Sequence, residues 1–185
     1  MKIKGNSLVV VPKVIKKQYG EEGLRKWLDN LSPEANQLYL SDIDPTNWYT
    51  LDKYYLDPVQ KYCDLFLNGD LNGAYDMGGA DAANSLKGVY GLFIKMGSPE
   101  YLVKKASILF PTYYKNAKME IAELGKGKCV LRIFEFGKMR KINEQTINGW
   151  MHKAMEICGV KITSMNITQS NTENDKYSEF SICWE

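Results

Sequence analysis

The sequence predicts an α+β fold: a helical half, residues 1–114, packed on a sheet-forming half, residues 115–185, within one domain. Three observations predict it. As far as Tyr114 the apolar residues recur at helical spacing between proline and glycine stops. After Pro111 the period shortens to two. One further helical stretch then divides four alternating runs, giving the order β–β–α–β–β. About four strands in that order form an antiparallel sheet with the one helix across a face.

Leu8–Tyr19 reads as a helix that tolerates Pro12 only in its first turn, and Gly20 punctuates it. Glu21–Leu31 carries Leu24, Trp27, Leu28 and Leu31 on one face. Ser32-Pro33-Glu34 is a cap followed by proline, starting a helix to Leu40. Asp42, Asp44 and Asn47 have a calcium-like spacing, but Asn47 stands where an EF-hand needs glycine and Lys53 where it needs glutamate, so turn duty is expected. An aromatic segment, Trp48–Leu56, leads into a helix to about Leu67 with Val59, Tyr62, Cys63 and Phe66 on one face. Asn68-Gly69-Asp70 and Asn72-Gly73 are turn signals.

The organising stretch is Tyr75–Tyr114. A helix is expected from about Asp81 to Met96, with Ala82, Leu86, Val89, Tyr90 and Phe93 on one side and Gly97 ending it. Ser98 caps the next helix and Pro99 opens it. Leu102, Val103, Ala106, Leu109 and Phe110 form its stripe and Pro111 closes it. Gly78-Gly79 satisfies neither the Walker nor the dinucleotide loop pattern, and is expected to permit close approach or to cap the long helix. Strands are expected over Asn116–Leu124 and Lys128–Phe136, joined at Gly125-Lys126-Gly127. Asn143 is expected to cap a helix carrying Ile147, Trp150, Met151, Ala154, Met155 and Cys158, ended by Gly159. Val160–Thr168 and Tyr177–Trp184 are the last strands, the latter with Phe180, Ile182 and Trp184 on one face.

Composition excludes more than it identifies. A net charge of +2 with scattered lysines argues against a nucleic-acid partner. No run approaches the roughly 20 apolar residues of a membrane span, and Pro12-Lys13 cuts short the N-terminal apolar run, so neither span nor signal peptide is expected and the protein reads as cytoplasmic. Cys63, Cys129, Cys158 and Cys183 lie far apart without a C-x-x-C pair, which reads as free thiols and no metal centre.

Several phrases together resemble a known group. They are the opening KG before a helix ending in YG, NWYTLDKYY, GGADAANSLKGVYGLFIKMGSPEYLVKKASILFPTYY, and the closing SEFSICWE. The chain resembles the superfamily of the haem–nitric-oxide-binding sensors, the 4-vinyl-reductase-like small-molecule domains and the TRAPP-type trafficking subunits, and is most similar to a myxobacterial paralogous family of uncharacterised domains. The resemblance implies a pocket between the long helices and the sheet. It places Trp48, Tyr55, Tyr90, Phe93, Tyr113 and Trp150 there. Haem sensors of the group hold iron through a helical histidine and grip the propionates with Y-x-S-x-R. The only histidine here is His152, about 100° round its helix from Met151, and Y-x-S-x-R is absent, so no cofactor, haem included, is expected.

Three functions follow. A non-catalytic small-molecule sensor or regulatory domain, taking an apolar or lipid-like ligand, suits the 22 aromatic side chains, because such pockets are apolar with a few polar groups. A protein–protein interaction module, dimerising through the first-half helices or meeting a signalling partner protein, would use exposed Trp27, Tyr39 or Tyr49. An enzyme of unknown class is the third; Ser-His or Cys-His chemistry would have to run through His152 alone, so no catalytic residue is assigned.

Overall fold

The computed structural model describes residues 1–86, 98–137, 139–173 and 175–185. It is α+β with two antiparallel sheets. The expected helix Asp81–Met96 falls partly outside the described residues, and Val89, Tyr90, Phe93 and Gly97 fall wholly outside them.

The half expected to be helical also contributes strands. β1 (Lys2–Lys4) runs into a short helix, α1 (Gly5–Leu8), and then α2 (Val10–Asp29). Gly20, at φ 69°, breaks α2 where the sequence suggested two helices, since only glycine takes that conformation freely. Ser32 caps α3 (Pro33–Leu40) by accepting from the Ala35 N–H at 3.3 Å. Asp44 serves its turn, accepting from the Thr46 N–H at 2.8 Å and the Thr46 hydroxyl at 2.7 Å. β2 (Trp48–Thr50) follows, then a π-helical turn, Asp52–Leu56, and α4 (Asp57–Phe66). β1 pairs with β2 on one side and with β3 (Tyr114–Lys115) on the other, setting Ile3 opposite both Tyr49 and Tyr114.

α5 (Asn72–Ser85) starts at the Asn72-Gly73 pair read as a turn, so Asp81 is well inside a helix rather than at its start. α6 (Pro99–Tyr113) begins as expected, with Ser98 Oγ accepting from the Tyr101 N–H at 3.3 Å, but runs two residues past Pro111. β4 (Lys118–Gly125) and β5 (Lys128–Phe134) form the hairpin. α7 (Lys141–Ile157) starts two residues before Asn143, which therefore caps nothing; its side chain is fully buried and its amide finds no partner among the described residues. β6 (Ile162–Gln169) and β7 (Ser178–Trp184) complete a four-stranded sheet of order β4-β5-β7-β6. Leu131 faces Phe180 and Cys129 faces Ile182 across β5–β7, so one apolar sheet face meets α6 and α7.

Two helix features fix the layers. A Cβ on Gly78 would overlap the backbone of Thr146, and one on Gly149 the backbone of Tyr75, so α5 and α7 cross antiparallel with their backbones touching. Glu144, buried in the first turn of α7, accepts from Ser170 Oγ at 2.9 Å and from Ser178 Oγ, tying the helix to the sheet. Glu144→Ala would remove the carboxylate that both hydroxyls share, leaving Ser178 only the weak Met139 sulfur as an acceptor among the described residues. It is expected to lower the free energy of unfolding by about 2–4 kcal/mol in a denaturant titration.

Of the aromatic residues proposed for an interface, Trp27 and Tyr39 are not on the surface. Trp27 is fully buried and donates from Nε1 to the Pro58 carbonyl at 2.9 Å; Tyr39 is buried and donates to the Tyr54 carbonyl at 2.8 Å; Tyr49 is half-buried. The Trp27 and Tyr39 rings bury large apolar areas and their polar atoms have carbonyl partners, which favours a core position.

Candidate functional site

A small cavity lies where α1, α5, α6 and α7 converge. β1 carries the chain into α1 and sets Ser7 beside α5, and Ser7 Oγ donates to Asp81 Oδ2 at 2.7 Å. Ser85, one turn on, donates to Oδ1 at 3.0 Å, and Asn6 Nδ2 donates in turn to Ser85 Oγ at 3.3 Å. Asp81 is only 5% exposed, and no described lysine, arginine or histidine pairs with it. Burial pushes its carboxyl up to about 6, with Ser7 and Ser85 pulling the other way. Burial likewise raises the Tyr55 and Tyr114 phenols, and the Asp81 charge adds to both shifts.

Asp81 and Ser7 form the polar end of a cavity of about 50 Å³. The last turns of α6 supply Phe110 and Tyr113 at its rim and β3 supplies Tyr114; α7 supplies Ile147, Trp150 and Met151, with Met119 from β4. The Tyr113 and Trp150 rings are 5.9 Å apart, the Phe110 and Tyr114 rings 4.9 Å. A second, wholly apolar chamber of about 30 Å³ shares Ala106, Leu109, Trp150 and Met151 with the first and reaches Leu131 and Ile182 on the sheet. Together they make a slot between α6 and α7, polar at one end only.

The residues singled out from sequence fall in different places. Tyr113 and Trp150 line the slot. Tyr55 is buried near Asp81 but does not line it. Trp48 sits on β2, half-buried under the Lys4 ammonium 4.4 Å from its ring centre. Tyr90 and Phe93 lie outside the described residues. Asp81 was missed as a site residue, being read as the start of a helix. Its signal was a single acid among small residues in GGADAANS.

Among the described residues no catalytic constellation assembles around the slot. His152 is half-buried at the α5–α7 surface, its Nδ1 3.9 Å from Glu156 and its ring 5.8 Å from that of Tyr75. The four cysteines are unpaired, and burial raises Cys63 and Cys158 to about 11 and Cys129 to about 12, away from reactive thiolates. Among the described residues no group of three or more His, Cys, Asp or Glu could hold a metal ion, and no helix is long and apolar enough to cross a membrane.

No protein-family profile matches the sequence, and no curated protein does. Solved structures do. An H-NOX protein from S. oneidensis in the Fe(II)NO ligation state superposes with a TM-score of 0.77 at 13% identity, covering 99% of each chain. An Fe(II) unliganded H-NOX protein from K. algicida gives 0.72 at 11% identity, covering 99% of this chain and 97% of that one. A chain from work on haem distortion in the H-NOX family gives 0.70 at 12% identity, covering 99% and 94%. The chain has the H-NOX fold.

These neighbours overturn the expectation of no cofactor. The fold that spans 99% of this chain carries ligated iron in the S. oneidensis protein, which removes the ground for expecting none. The slot gives its own measure of fit. Facing it are the phenols of Tyr113 and Tyr114 and the thioethers of Met119 and Met151; among the described residues no histidine lines it, and no lysine or arginine stands at its rim to meet a propionate. Its chambers are well below the roughly 300 Å³ at which small-molecule pockets begin. The described residues therefore do not fit a haem held through histidine.

Proposed function

We propose that the chain is a single-domain, non-catalytic sensor that takes a small ligand in the slot between α6 and α7. The observation that carries this reading is the buried Asp81 carboxylate at one end of an otherwise apolar, aromatic-walled cavity. Ligand sites have that composition, and a folded core gains nothing from it. The H-NOX neighbours support a sensing role and make haem the first cofactor to test. The ligand has an apolar body, matched to Leu109, Met151 and the sheet-side chamber. Within the superfamily we place the chain nearest the myxobacterial paralogous family, on the KG opening, NWYTLDKYY and SEFSICWE.

A second reading, a self-associating interaction module, has its own support. α6 leaves Tyr101 and Ile108 exposed seven residues apart on one face, as a helix-pairing surface requires. Native mass spectrometry beside a denatured spectrum separates the readings. An extra mass lost on denaturation is expected. A mass equal to haem assigns the slot to the cofactor of the neighbours, and any other mass names a different ligand. No extra mass, no uptake of added haemin and a clean dimer would overturn the sensor reading in favour of the module.

A further inference from the structure

We propose that the slot recognises a small organic ammonium ion, its nitrogen held by Asp81 and its short alkyl part lying among the aromatic side chains toward Trp150. The inference rests on the slot being the ligand site.

The geometry comes from three sides. Asp81 is buried, and its carboxylate receives one serine hydroxyl on each oxygen, Ser7 at 2.7 Å and Ser85 at 3.0 Å. Those neutral donors orient the group without cancelling its charge. Each carboxylate oxygen keeps a further acceptor position. The groups around it are Ser7 from α1, Ser85 from α5, and the phenols of Tyr55 and Tyr114 from the π-helical turn and β3; none described is cationic. A buried anion without a countercharge is best complemented by a cation brought from outside. A phosphate, carboxylate or other anion would be repelled, and a purely apolar ligand would leave the carboxylate dry and unpaired.

The walls agree with the carboxylate. Phe110, Tyr113, Tyr114 and Trp150 ring the cavity, and ammonium ions are attracted to the faces of such rings. Size then limits the ligand. A cavity of about 50 Å³ opening on one of about 30 Å³ suits an ammonium head with a short chain, against the roughly 150 Å³ that holds a benzene ring. An n-propyl- or n-butylammonium ion is the probe of that size.

The test is calorimetric titration with n-butylammonium and n-propylammonium, beside 1-butanol and 1-propanol as neutral counterparts. The ammonium ions are expected to bind at least tenfold tighter than the alcohols. Asp81→Asn should remove that advantage and leave alcohol binding within about twofold, since only the charged hydrogen bond is lost. Wild-type protein gives the same reading without a variant: ammonium affinity should fall between pH 8 and pH 5 as Asp81 protonates, with alcohol affinity unchanged. Equal affinities for ammonium ion and alcohol, indifferent to pH and to Asp81→Asn, would overturn the ammonium assignment and leave the slot as an apolar site. Binding of neither class, with no small molecule in the native mass spectrum, would overturn the slot itself.

Discussion

Gly149→Ala is expected to destabilise the protein by more than about 3 kcal/mol, the upper end for overpacking, because the added methyl meets backbone rather than a movable side chain. Tyr75 of α5 lies against Gly149 of α7, and Gly78 of α5 against Thr146 of α7, so the two helices touch at two points three residues apart. A methyl at either glycine pushes a carbonyl, and a carbonyl cannot move without its helix. Gly79 is the internal control. A Cβ there meets nothing nearer than 3.7 Å, so Gly79→Ala should be neutral or stabilising by up to about 1 kcal/mol through helix propensity. Urea midpoints for the two variants check the pair; equal losses would mean that the close crossing is not what holds α5 on α7. The crossing matters to the slot as well as to stability. Asp81 is three residues beyond Gly78, and Ile147, Trp150 and Met151 flank Gly149. Parting the helices would separate the polar end of the cavity from its aromatic wall.

That coupling explains which parts were legible in the sequence. The four-stranded sheet was readable because β7 alternates and one face must be buried; Leu131, Ile133, Phe180 and Ile182 all lie on that buried face. Ser32 and Ser98 were readable because a cap and a proline act within four residues. β1–β3 was not, since strands of two or three residues carry no period and exist only through pairing between residues some 50 and 110 apart in sequence. Asn143 misled for a related reason. It has the chemistry of a cap, yet the packing of Ile142 and Glu144 sets the helix start earlier and buries it. For the slot, sequence pointed to large aromatic side chains, and among those described Tyr113 and Trp150 reach it. Trp48 has the same composition-based warrant but is spent on the small sheet under Lys4. Asp81 could not be found that way, because its meaning depends on Ser7, 74 residues upstream, and on the charge partner that the described fold does not give it.

Asp81→Asn is expected to stabilise the ligand-free protein by about 2–3 kcal/mol at neutral pH, the worth of a carboxyl moved from 3.8 to about 6. The direction follows from proton binding. Between pH 3.8 and about 6 the folded state holds a proton on Asp81 that the unfolded state has lost, so stability falls as pH rises through that window and stays low above it. Asparagine is close to isosteric and carries no charge to desolvate; it accepts one serine hydroxyl at Oδ1 and can donate to the other from Nδ2. Unfolding free energies of wild type and variant, measured from pH 4 to pH 8, should converge toward the acid end, separate as pH rises to about 6 and keep a constant gap above it. Groups such as Glu179 and Asp44, whose carboxyls are held low by hydrogen bonds, act with the opposite sign but cancel in the difference between the two proteins. A variant less stable than wild type at pH 7 would make Asp81 a structural hydrogen-bonding post for Ser7 and Ser85. A variant more stable at pH 7, and stripped of its ammonium preference, would show a residue that lowers the stability of the empty fold and contributes only when the slot is filled. That trade is expected of a binding group held in an apolar interior.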